Sequence, residues 1–193
     1  MSTKGPGRLR PPVSEHDHAQ GPRNAPVTLV EYGDYECPYC ARAHPIVKDL
    51  QQRLGASMCF VFRNFPLTEA HPYAFHAAEA VESVGAHAGE SAFWRMHDLI
   101  YEHQQDSERA LDDEHLVWYA KQAGADARRV AEDLLDDAFT DRVKEDFLSG
   151  VRSGVNGTPT FFINGERFDG SWYDIDSFEA ALREVAEGAK VGR

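Results

Sequence analysis

EYGDYECPYCARAH, residues 31–44, sets two of the chain's three cysteines, Cys37 and Cys40, three positions apart where strand-like sequence gives way to helix-like sequence. Just before it, APVTLVEYG (residues 25–33) is a short apolar, β-branched run bounded by Pro26 and Gly33, which predicts a buried strand. Just after it, Ile46, Val47, Leu50 and Leu54 recur at helical spacing and Gly55 is a natural stop. Pro38 suits the first helical position, and Pro45 predicts a kink. This placement makes Cys37 the N-cap. Its sulfur can accept the orphan N–H groups of Tyr39 and Cys40, and the helix dipole adds positive potential at the same point. Both effects favour thiolate over thiol, lowering the Cys37 pKa below the ~8.5 of a free cysteine. Residues i and i+3 share a helix face, so Cys40 can close onto Cys37 as a disulfide. The expectation is an exposed nucleophile at Cys37 and a resolving thiol at Cys40, one turn inward. Glu36 opposes the thiolate: a carboxylate about 4 Å away costs on the order of 1 kcal/mol in water.

Length and composition frame that pair. With 193 residues, 42% of them hydrophobic, the chain can build one good core with a sizeable insertion. A net charge of −12 argues against nucleic acid as a partner, because phosphate binding needs a basic face. The N-terminal residues lack an apolar signal region, and no window approaches the ~18 apolar residues of a membrane span. The expectation is therefore a cytoplasmic protein with no membrane contact. Structural disulfides are rare in that compartment, and three cysteines are too few for a disulfide scaffold. A close pair is then catalytic, redox-sensing or metal-binding.

Zinc is the metal alternative. Cys37 and Cys40 with His44 or Cys59 would make a set, but no second CxxC or spaced histidine pair supplies the usual four ligands. Cys59 lies in an apolar run and reads as core filler, and His44 reads as a surface or packing residue. His16 and His18, flanking Asp17, read as part of a solvated tail. No metal site is assigned.

Residues 1–24, rich in Pro, Gly and charge, read as a flexible N-terminal tail. SMCFVFRNF (residues 57–65) predicts a second strand ended by Pro66. From 67 to 138 the pattern turns helical: Phe75, Ala78 and Val81 mark one stripe, and Phe93, Met96 and Ile100 another. Asp112 and Asp126 stand as N-caps of two further helices. Phe139, Val143, Phe147 and Val151 recur at i, i+4 in a longer one. GTPTFFING and ERFDG predict a hairpin around Asn164-Gly165, and a closing helix begins near Asp176 with Glu179 as its capping-box partner. Residues 25–66 and 139–193 thus form one α/β domain, with 67–138 inserted as helices.

Together these segments resemble the thioredoxin superfamily, and within it the DsbA-like branch that carries a helical insertion. The resemblance spans about residues 24–187 and rests on YGDYECPYC (32–40), FRNFPL (62–67) with HPYAFHAAEA (71–80), FWRMHDLIY (93–101) and SGVNGTPTFFINGERFDG (153–170). A lone CxxC is weak; followed over a hundred residues later by GTPTFFING, it is specific. The resemblance implies a thioredoxin-like fold, a central mixed sheet flanked by helices. It implies a cis peptide at Thr158-Pro159 that faces the cysteines and frees the Thr158 backbone to pair with a substrate strand. It also implies a buried acid at Glu31, six positions before Cys37. Glu31 is the only charge in its strand, so desolvation should suit it to take a proton from Cys40 through a water.

The expected function is that of a thiol–disulfide oxidoreductase that reduces, forms or exchanges disulfides. Cys37, Cys40, Glu31 and Pro159 are the catalytic set, and Thr158, Pro38, Tyr39 and Tyr35 shape a shallow docking surface. The dithiol needs no further cofactor. Partners are protein or small-molecule thiols and disulfides, glutathione among the candidates, with an unidentified redox partner. The rivals are a redox-sensing or protein-binding module without turnover and a zinc-binding protein.

Overall fold

A computed structural model describes residues 7–191. By contact the chain divides into two compact units, one comprising residues 1–33, 42–63 and 149–193, the other residues 34–41 and 64–148.

The first unit is built on a five-stranded sheet of β1 (His18–Gln20), β2 (Val27–Gly33), β3 (Met58–Asn64), β4 (Thr160–Ile163) and β5 (Glu166–Phe168), in the order β1-β3-β2-β4-β5. β2 and β3 lie side by side at its centre, joined through α1 (Pro38–Leu54), and all but one of their residues are buried. Strands covered on both faces read as continuous apolar runs, as these do. β4 pairs antiparallel with β2, Leu29 opposite Ile163 and Tyr32 opposite Thr160, and β5 pairs antiparallel with β4. The β4–β5 turn is Asn164-Gly165, with φ of 47° and 84°. Two successive positive φ values define the tight hairpin turn whose twist matches its strands, and Asn-Gly is the pair that adopts it most easily. α7 (Ile175–Val191) packs on β2, and Phe178 stacks on Phe168 at 4.7 Å and meets Phe161 edge-on at 5.1 Å. Its start is held by Asp174, which accepts from the Ser177 N–H and hydroxyl. The expected Asp176–Glu179 capping box is absent because Glu179 turns to Arg53 and Arg183 instead.

Residues 7–24 are not a loose lead-in. β1 pairs antiparallel with β3, and Arg63 turns all five of its guanidinium N–H groups onto this segment and its neighbour Tyr32. Both Asp17 oxygens accept, at 2.7 and 3.0 Å, with the Pro11 and Pro12 carbonyls and the Tyr32 hydroxyl taking the rest. The composition is polar, but the polar groups are spent on specific partners. Further upstream the Leu9 N–H donates to Gly165 O, the Arg167 N–H donates to Gly7 O, and Arg8 bridges Glu166, so residues 7–9 run along β5. Residues 1–6 of the expected tail lie outside the described residues.

The second unit is helical: α2 (Ala74–Ala88), α3 (Glu90–His103), α4 (Asp113–Gln122), α5 (Ala127–Leu135) and most of α6 (Thr140–Arg152). Phe93, Met96 and Ile100 are fully buried, as their spacing predicts. Asp112 and Asp126 cap α4 and α5 by accepting backbone N–H groups. The α6 stripe is shorter than expected, since Val143 is buried but Val151 is exposed. This unit also reaches beyond 67–138. It takes the first turn of α1 and most of α6, and Phe65 stacks on Phe147 at 4.5 Å within it.

Candidate active site around Cys37 and Cys40

The loop between β2 and α1 is organised by Asp34, a residue sequence reasoning passed over. Its Oδ1 accepts the Glu36 N–H at 2.8 Å, a side-chain-closed turn, and its backbone carbonyl accepts the Cys37 N–H at 3.1 Å. Its Oδ2 accepts from the Leu67 N–H and from His71 Nδ1, both at 2.8 Å. Its own N–H donates to Cys40 Sγ at 3.5 Å. One buried carboxylate thus ties the cysteine loop to the segment leading into α2. The signal was present in GDYE, where an Asp two residues before the turn's N–H donor is a known turn-former. Nothing in the chain pattern foretold its long-range partners.

Glu36 is similarly engaged. Its Oε2 accepts the Tyr73 N–H at 2.7 Å, and burial pushes its pKa up against the lowering effect of that bond. For His71, burial pulls the imidazole down, but the hydrogen bond and charge of Asp34, with Cys37 and Glu36 as further negative groups, outweigh it and the pKa stands raised.

α1 begins at Pro38 as expected, with the Ala41 N–H donating to Cys37 O at 3.1 Å, and it runs through Pro45. Gln104 Nε2 also donates to Cys37 O, at 3.3 Å, and the Tyr101 hydroxyl to Asp34 O at 3.4 Å. Cys37 is consequently buried, only 3% exposed, and not the exposed nucleophile expected. The loop folds inward onto Asp34 while α3 covers its carbonyls, so Pro38 and Tyr39 carry the outward surface, Tyr39 being 57% exposed. Tyr35 does not belong to a docking surface at all. It is 1% exposed, its hydroxyl meets His97 Nδ1 at 3.0 Å, and its ring packs on Tyr101 at 5.2 Å. An aromatic that looks like a binding residue in sequence is here a core anchor with a satisfied hydroxyl.

Cys37, Pro38, Tyr39 and Cys40 thus sit together in the second unit with Asp34, Glu36 and His71. Glu31, Thr158 and Pro159 belong to the first unit. Glu31 is buried on β2, opposite Phe161 of β4. Thr158 and Pro159 are half-buried, joined by a cis peptide, and lead directly into β4. Cys59 fills core volume on β3, where burial pushes its thiol pKa up.

A sheet of this order with a CxxC at the start of the helix after β2 defines the thioredoxin class, and the comparisons agree. The family described as Thioredoxin matches residues 13–184. The chain belongs to the thioredoxin family. Oxidised BdbD from Bacillus subtilis superposes with a TM-score of 0.84 at 24% identity, covering 95% of this chain and 98% of that one. Wolbachia pipientis alpha-DsbA1 gives a TM-score of 0.80 at 18% identity, with 94% and 96% covered. A relative by sequence is the Na(+)/H(+) antiporter NhaA 1 of Salinispora arenicola, 44% identical over 177 residues, which are 92% of this chain and 26% of the relative.

The chain therefore spans about a quarter of the length of the curated relatives it matches. That overturns the cytoplasmic expectation. It rested on the lack of an apolar leader or span in these residues, yet the matched relatives are antiporters by name and most of their length lies outside the match. Among the described residues no helix is long and apolar enough to cross a membrane, and this says nothing of location.

Proposed function

We propose that the chain is a thiol–disulfide oxidoreductase working through Cys37 and Cys40. The observation that carries this is the placement of both sulfurs at the first turn of α1, with the Asp34 N–H donating to Cys40 Sγ at 3.5 Å. A donor on a sulfur favours its thiolate, and a thiolate is the species that exchanges. Cys37 thiolate attacks one sulfur of a substrate disulfide, forming a Cys37–substrate bond and expelling the other substrate thiolate. Cys40 thiolate then attacks Cys37 Sγ, closing the Cys37–Cys40 disulfide and releasing the second substrate thiolate. Two electrons pass to the substrate, and with the oxidised pair and a dithiol the same steps run in reverse.

In this reading Pro38 and Tyr39 present the exposed rim, the Thr158–Pro159 segment offers backbone to an extended substrate, and Glu31 takes the proton from Cys40. Substrates are protein or small-molecule disulfides and thiols, glutathione among them. The test is insulin reduction with dithiothreitol, together with trapping of mixed disulfides. Cys37→Ser should abolish turnover, and Cys40→Ser should accumulate a substrate adduct on Cys37 visible by intact mass. Unchanged turnover in Cys37→Ser would sink the proposal. Glu31→Gln should slow Cys40 deprotonation and shift the rate–pH profile upward; an unmoved profile removes Glu31 from the catalytic set.

A further inference from the structure

The helical unit carries a second cluster of ligating groups that the dithiol chemistry does not use. His76 and Glu79 stand three apart on α2, on one helix face, and Asp137 lies in the turn between α5 and α6. One nitrogen of His76, one carboxylate oxygen of Glu79 and one of Asp137 lie within 4.8 Å of one another.

Three features point these groups at a cation. Glu79 is 1% exposed, and its Oε2 makes no hydrogen bond among the described residues. Its other oxygen, Oε1, accepts from the Thr140 hydroxyl at 2.6 Å, which fixes the carboxylate in place. A buried carboxylate in that position lacks a partner in either protonation state, since the ionised oxygen wants a donor or a cation and the protonated one wants an acceptor. Secondly, His76 Nδ1 lies 2.8 Å from Asp113 Oδ1. A carboxylate can only accept there, so Nδ1 is the donor, and in the neutral imidazole Nε2 is the nitrogen whose lone pair can take a metal. That is the outer-shell arrangement by which a carboxylate orients a metal-binding imidazole and raises its basicity. Thirdly, His76 is accessible: its side chain is 42% exposed and lines a hollow of about 460 Å³ with Tyr73, Arg109 and Asp113.

We propose that His76, Glu79 and Asp137 bind a divalent transition-metal ion, with Zn²⁺ as the reference case, water completing its coordination and Asp113 and Thr140 holding the ligands. One imidazole and two carboxylates are a donor set that suits zinc better than calcium or magnesium, which favour oxygen alone. Zinc ligands lie about 2.0–2.2 Å from a common centre, a separation that atoms within 4.8 Å of one another can reach, and Asp137 sits exposed in a turn that can adjust to it. The ion would tie α2 to the α5–α6 turn, away from the cysteines' own reaction.

The test is calorimetric titration of ZnCl₂ into the 193-residue chain carrying Cys37→Ser and Cys40→Ser, so that the thiolates of that pair do not compete for the metal. The expected result is one saturable equivalent at micromolar or tighter affinity, weakened at least tenfold by His76→Ala and by Glu79→Gln, with Zn²⁺ raising the melting temperature of the parent but of neither variant. Should Glu79→Gln fail to fold, His76→Ala decides, since its side chain is 42% exposed and its loss opens no cavity. No saturable equivalent in the parent, or unchanged affinity in His76→Ala, overturns the proposal.

Discussion

Asp34 accepts five hydrogen bonds: two backbone N–H groups and one imidazole on its carboxylate, and the Cys37 N–H and Tyr101 hydroxyl on its carbonyl. Truncating the carboxylate leaves three buried or part-buried donors unsatisfied, each worth about 1–3 kcal/mol. Asp34→Ala should therefore cost roughly 3 kcal/mol or more by urea unfolding, and Asp34→Asn less, because an amide still accepts. His71 is the electrostatic partner. Its pKa is raised in the folded state, so its contribution to stability is fully present below about 6.5, its unfolded value, and is lost as pH rises through the folded value. Proton NMR titration should find His71 above 6.5 in the parent and lower in Asp34→Asn. Because Cys37 is among the groups holding His71 up, the attraction is mutual: in His71→Gln, alkylation of Cys37 by iodoacetamide should move to higher pH. An unmoved alkylation profile would mean that His71 serves only to brace the loop.

At the scale of single elements, local chemistry sets clear costs. Gly165 holds φ of 84°, so Gly165→Ala should destabilise by about 1 kcal/mol, and Asp126→Ala, which strips the α5 cap of two N–H bonds, by a similar ~1 kcal/mol. Thermal melts of each variant check both. These are also the elements that were legible in the sequence. Asn164-Gly165, Asp112, Asp126 and the apolar stripe of α3 announce themselves because the cause is local: a dihedral, a cap, a period. The cysteine pair was legible for the same reason. What escaped was long-range. Tyr35 reads as a surface aromatic until His97 and Tyr101, more than sixty positions on, close over it. The α7 cap was misplaced by two residues because Arg53, from α1, claims Glu179. Asp34 was only half legible: its turn to Glu36 is local, but its hold on Leu67 and His71 is long-range.

For the whole molecule, buried charges outside the cysteine loop contribute to stability. Asp146 accepts from the Asn64 N–H and pairs with Arg142, yet burial pushes its pKa up to about 6. A carboxyl raised in the folded state stabilises most when protonated, below its unfolded value of 3.8, and that contribution is lost as pH rises to about 6. Urea midpoints across pH 4–6 should therefore follow a shallower slope in Asp146→Asn than in the parent. The Arg63–Asp17 pair works the other way. Removing Asp17 strands a guanidinium that is 3% exposed, so Asp17→Ala should cost about 3–5 kcal/mol, whereas an exposed pair such as Arg8–Glu166 should cost under ~1 kcal/mol.

The strand formed by residues 166–168 closes one border of the sheet, and residues 7–9 lie along it with their backbone groups engaged. A row of unused amides and carbonyls on such a border invites pairing between molecules, the first step of aggregation. Residues 7–9 therefore occupy backbone groups that another copy could otherwise take. A chain shortened to start at residue 13, where the family match begins, should keep its dithiol yet scatter light at concentrations where the full chain stays monodisperse.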